Sequence, residues 1–106
     1  MSERFESGCL KEVLTVINMS EIPEMMLYYE QFFVEPNETE KEKIRNNARK
    51  VKGELEVIEK LCEDAKEYIE EIKYVLSTLE KDPANIPVGF KLVSIRDQIV
   101  NKLYFE

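Results

Sequence analysis

From Ile44 to Leu79, apolar or small residues recur with strict 4-3 spacing: Ile44, Ala48, Val51, Leu55, Ile58, Cys62, Ala65, Ile69, Ile72, Leu76 and Leu79. No proline interrupts the chain between Pro36 and Pro83. A stripe repeating every 3.5 residues on average is the signature of a helix that packs along its length on another helix. With Ala48 taken as heptad position a, the e positions are Arg45, Lys52, Glu59, Lys66, Lys73 and Glu80. The g positions are polar in the first half of the stripe (Asn47, Glu54) and apolar in the second (Leu61, Tyr68, Val75). "NETEKE" ahead of the stripe supplies two overlapping capping boxes, Asn37 with Glu40 and Thr39 with Glu42. The spacing predicts one helix over about residues 38–81, roughly 66 Å long.

Three shorter helices are expected around it. Phe5, Cys9, Val13 and Ile17 stand four apart and predict a helix over about 3–18. A second, over about 21–34, follows Ser20 as a candidate N-cap, with Pro23 tolerated in the first turn. Val88, Leu92, Ile95, Ile99 and Leu103 define a fourth over about 88–104. The expected fold is therefore all-α, a helical bundle in one domain spanning 1–106. The fourth helix can fold back over the apolar second half of the stripe. Residues 50–62 are left without a cover from their own chain. Two resolutions exist: a break near Gly53, or a second chain. The 4-3 phase runs through Gly53 unshifted, which favours a homodimer through Val51, Leu55, Ile58 and Cys62. The e-position charges favour an antiparallel pair, setting Arg45 by Glu80 and Lys66 by Glu59, with Lys52 against Lys73 as its one bad contact.

The second expected helix carries an aromatic cluster, "MMLYYEQFF". Met25, Met26, Tyr28, Tyr29, Phe32 and Phe33 fall on one broad arc, and Leu27 and Val34 add apolar surface on the far side. These residues are candidates for core, for the dimer interface, or for a face that binds another protein.

Composition narrows the function classes. The formal net charge of −7 disfavours a whole-surface affinity for nucleic acid or anionic membrane. One basic island remains, with Lys43, Arg45, Arg49, Lys50 and Lys52 as candidate phosphate contacts on a helix face. Histidine is absent, which removes the usual general base and the commonest metal ligand. E-x-x-E pairs occur at Glu21/Glu24, Glu35/Glu38, Glu56/Glu59 and Glu67/Glu70, but no E-x-x-D pair faces them. A carboxylate/Mg-dependent helical enzyme is thus a weaker expectation. No catalytic residue, metal site or cofactor is assigned. The two cysteines, Cys9 and Cys62, are expected as reduced thiols in a cytoplasmic protein. No apolar run approaches the length of a membrane span. The reading that follows is a non-enzymatic protein–protein interaction module, an adaptor, small chaperone or inhibitor of the kind viruses and phages also encode. A nucleic-acid-associated regulator is the alternative.

Overall fold

A computed structural model describes the backbone of residues 2–105 and the side chains of residues 8–105. The chain forms five α-helices, with no strand among the described residues: α1 (Ser2–Met19), α2 (Ile22–Phe32), α3 (Glu38–Leu61), α4 (Lys66–Lys81) and α5 (Ile86–Tyr104). The all-α expectation is met. Phe5, assigned above to the apolar face of the first helix, has a side chain outside the described residues. No described helix is long and apolar enough to cross a membrane.

Local chemistry sets the helix starts. At α3, Asn37 Oδ1 accepts from Glu40 N–H at 2.8 Å, and Glu40 Oε1 accepts from Asn37 N–H at 2.9 Å. This is the first of the two predicted capping boxes. At α2 the N-cap is Glu21, which makes no side-chain cap, and not the expected Ser20; the buried Ser20 hydroxyl instead accepts from Ile22 N–H at 3.0 Å, and Pro23 lies in the first turn. At α5, Asn85 Oδ1 accepts from Val88 N–H at 3.2 Å, so that helix starts two residues before the expected Val88.

The predicted 38–81 helix is interrupted. The chain leaves α3 at Cys62 (φ −135°, ψ 84°), makes one 3-10 turn over Glu63–Ala65 and re-enters the helix at Lys66. Gly53, the other break point considered, lies inside α3. The two arms fold back on each other: α3 packs more extensively on α4 than on any other element. Lys52 Nζ meets Glu80 Oε1 at 3.2 Å, and Lys73 Nζ meets Glu59 Oε1 at 3.5 Å. Moving seven residues toward the turn on one arm moves the partner seven residues toward it on the other, so the arms are antiparallel. All four are e-position residues. The antiparallel charge pairing read from the sequence is made within one chain and one heptad out of the expected register. Lys52 and Lys73 each have a carboxylate partner, while Arg45 pairs with Glu42 at 2.9 Å instead of Glu80.

This fold-back corrects the uncovered-seam reading. Ile44, Ala48, Leu55, Ala65, Ile69, Ile72, Leu76 and Leu79 are fully buried by their own chain, and Val51 and Ile58 nearly so. They join residues of α1, α2 and α5 in one core cluster. The seam residues Val51, Leu55 and Ile58 need no second chain to remove them from water. A straight helix of about 66 Å would also exceed the molecule's longest dimension of 47 Å.

The cysteines correct a second expectation. Cys9 of α1 and Cys62 form a disulfide, with Cα atoms 5.9 Å apart. It staples the N-terminal part of α1 to the turn between α3 and α4. At the opposite end of the hairpin, α2 packs on α5 and on the start of α3. Lys43 Nζ meets Glu21 Oε1 at 3.0 Å there, and Asn47 Oδ1 accepts from Glu21 N–H at 3.4 Å. Gly89 of α5 permits the close approach of α2: a Cβ at this position would lie 2.7 Å from Met26 Cε and 2.9 Å from Met26 Cγ.

Candidate partner-binding surface

Helix α2 separates the aromatic cluster into two sets. Ile22, Met26 and Tyr29 recur at helical spacing and are buried, with Met25 packed at their margin. Tyr28 and Phe32, one turn apart, turn away from the core and are 51% and 56% exposed. Their rings stack at a tilt with centroids 4.9 Å apart. Tyr28 also meets Tyr29 edge-on at 5.8 Å, so one of the two exposed rings is seated on the buried one. Leu27, Phe33 and Val34 extend the exposed apolar surface.

Phe33 is the unusual member. It ends α2 in the left-handed conformation (φ 53°, ψ 42°), while Phe33 N–H and Val34 N–H both donate to Tyr29 O. Glycine is the ordinary residue for such a cap. For an L-residue this backbone costs about 1–2 kcal/mol, and Phe33 is the one non-glycine residue with positive φ among those described. The residue is 94% exposed, so intrachain packing offsets little of that cost.

The sequence that carries this patch holds charge of one sign. From Ser20 to Glu40 the chain carries Glu21, Glu24, Glu30, Glu35, Glu38 and Glu40 and no base. Glu21 is engaged by Lys43, Glu38 by Lys41 at 3.2 Å, and Glu40 by the capping box. Glu40 also lies near the buried Tyr29. Burial, reinforced by the Glu40 carboxylate, raises the Tyr29 phenol far above its ordinary value of 10. The two groups do not form a hydrogen bond of normal geometry, and Tyr29 Oη is buried without a partner among the described residues.

The predicted basic stripe is largely occupied within the chain. Lys43, Arg45 and Lys52 are in ion pairs with Glu21, Glu42 and Glu80, and Arg49 Nη1 is 3.5 Å from Asn46 Oδ1. Lys50 is exposed. Carboxylates gather elsewhere. Two adjoining depressions of about 670 and 520 Å³ run between α4 and α5 and share Glu70, Glu71 and Gln98. Lys91 and Lys102 of α5 face these acids across the groove. Among the described residues no three His, Cys, Asp or Glu side chains come together in a metal-binding arrangement.

Of the residues singled out from sequence, Tyr28 and Phe32 come together on the surface, and Phe33 is exposed at the C-terminal end of the same helix. Met26, Tyr29, Val51, Leu55 and Ile58 are core, and Cys62 is half-buried in the disulfide. Three features were not read from sequence: the disulfide, the left-handed Phe33, and the turn after Leu61. The turn had a signal. Lys60 lies in the last turn of α3, and Glu63 and Asp64 precede α4, the charge order that complements one helix ending and another beginning. Comparison with known protein families, curated proteins and solved structures finds no match to this chain.

Proposed function

We propose that this protein is a non-enzymatic binding module, and that the exposed face of α2, centred on Tyr28, Phe32 and Phe33, is its contact surface for another protein. The observation that carries this reading is Phe33. A large apolar side chain occupies a position whose backbone favours glycine, and its ring is almost wholly in water. Neither local geometry nor core packing accounts for it. Burial against a partner would, since aromatic anchors dominate the energetics of protein interfaces.

The surrounding acids define the partner's chemistry. Glu24, one turn before Tyr28, is exposed, as are Glu30 and Glu35 nearby in sequence, and no base occurs between Ser20 and Glu40. A complementary surface is apolar at its centre and rimmed by Lys or Arg, as on a basic amphipathic helix. Arginine can in addition stack on exposed rings. The adaptor and inhibitor roles expected from the sequence are both ways of using such a face.

The test is calorimetric titration with a synthetic amphipathic Lys/Leu helical peptide, and with a Glu/Leu peptide of the same pattern as control. The Lys/Leu peptide binds, more weakly as salt is raised, and the Phe32→Ala/Phe33→Ala double variant loses at least about tenfold in affinity at an unchanged melting temperature. Equal affinity in the double variant, or equal binding of the acidic peptide, would overturn the proposal.

A further inference from the structure

The turn between α3 and α4 interrupts a pattern that the sequence does not interrupt. The 4-3 spacing passes from Ile58 through Cys62 and Ala65 to Ile69 without a phase shift. A hairpin has no need of this, because a connecting turn uncouples the phases of its two arms. A phase kept through the turn is what one straight helix requires. The turn itself, Leu61 to Ala65, holds neither proline nor glycine. Cys62 departs strongly from helical geometry there, with φ −135° and ψ 84°, and Ala65 departs more mildly, with φ −94° and ψ 4°. Every described contact between the arms, including Lys52–Glu80 and Glu59–Lys73, is of a kind that a second copy can supply from the antiparallel direction.

We infer that the α3–α4 hairpin is an exchangeable element: two copies open at Cys62–Ala65, straighten into continuous helices over 38–81, and pair antiparallel by swapping α4 and α5. The occupant of the opened seam is a second copy of this chain. The swap repeats the closed chain's core and adds one contact region that the monomer lacks, about the two-fold axis near residue 66, where each straightened hinge lies opposite the start of the other copy's α4. Leu61, on the flank of the seam and 80% exposed in the closed chain, sits there. Cys9 and Cys62 both belong to the part of the chain that stays with α3, so exchange keeps their disulfide within one chain. The inference is independent of what α2 binds. If both hold, the dimer presents two aromatic faces and gains from bivalence.

The experiment refolds the protein from denaturant at high concentration, using an equal mixture of ¹⁴N and ¹⁵N chains. Monomer and dimer are separated by size, and each is treated with carbodiimide to join Lys52 to Glu80 and Lys73 to Glu59. The dimer yields mixed-isotope cross-linked peptides, and the monomer yields same-isotope peptides only. A Glu63→Pro variant provides the second arm. Proline is tolerated where Glu63 starts its turn after the extended Cys62, but it breaks a straight helix. It keeps the monomer's helical spectrum and weakens dimer formation by about ten-thousandfold, as expected for about 3 kcal/mol at each of the two hinges. Absence of dimer in the unmodified chain, same-isotope cross-links in the dimer, or a dimer unaffected by Glu63→Pro would overturn the inference.

Discussion

Phe33 and Tyr29 lie four residues apart on one helix and are under opposite constraints. Phe33 carries backbone strain and no packing, so Phe33→Gly is expected to stabilise the fold by about 1 kcal/mol. The melting temperature rises by several degrees in a thermal scan, while affinity for a basic amphipathic peptide falls. A substitution that strengthens the fold and weakens binding separates a binding residue from a core residue. Tyr29 has the reverse profile, with its ring in the core and its hydroxyl buried unpaired. Its phenol is raised on folding, so its ionisation opposes the folded state. The stability linked to it is fully present below the unfolded value of about 10 and is lost progressively as pH rises beyond that. Denaturation measured from pH 9 to pH 11.5 should show a steeper alkaline loss in the wild type than in Tyr29→Phe. At neutral pH Tyr29→Phe is neutral or stabilising by about 1 kcal/mol, since it removes an unsatisfied buried hydroxyl.

Helix packing gives the same substitution opposite signs at two glycines. Gly53 lies on the exposed side of α3 with open space where a Cβ would go. Gly53→Ala is expected to gain about 1 kcal/mol from helix propensity. Gly89 lies on the buried side of α5, and an added Cβ would overlap the fully buried Met26 side chain. Gly89→Ala is expected to lose about 1–2 kcal/mol net, overpacking outweighing propensity. Urea titrations of the two variants check both signs.

The helices themselves were legible because their signals are local: the 4-3 stripe, the Asn37–Glu40 box, Pro23 in a first turn. The connection between α3 and α4 was not legible from periodicity. The stripe specifies which residues face a partner, and it is satisfied equally by a second chain and by its own second half folded back. Tertiary burial made the choice at Cys62. The aromatic cluster was ambiguous for a related reason. Its arc was too wide for one contact, and only the placement of α2 on α5 and α3 decides that Met26 and Tyr29 go inward while Tyr28 and Phe32 face out. Phe33 was among the candidates, but its left-handed backbone was not legible, because a left-handed phenylalanine has no sequence signature.

At the scale of the whole molecule, the hairpin is held at its turn by Cys9–Cys62 and at its open end by α2. The disulfide closes a loop across 53 positions. In the chain-entropy account this contributes about 4 kcal/mol by restricting the unfolded chain. Reduction, or the Cys9→Ser/Cys62→Ser variant, should lower unfolding free energy by about 2–4 kcal/mol without changing the helical spectrum, as measured by denaturant titration with and without reductant. The same architecture sets two acidic regions apart. The α4–α5 groove is lined by Glu67, Glu70 and Glu71 and lacks exposed aromatic anchors other than Tyr74, whereas the α2 face combines acids with Tyr28, Phe32 and Phe33. Charge alone would attract a basic partner to either, and apolar burial favours the second. An amide-resolved NMR titration of ¹⁵N-labelled protein with the Lys/Leu peptide distinguishes them directly. The predicted result is a set of shift changes confined to residues 25–35 and their contacts on α3 and α5. Changes centred on Glu67, Glu70 and Glu71, or no changes at all, would contradict the assignment of α2 as the binding face.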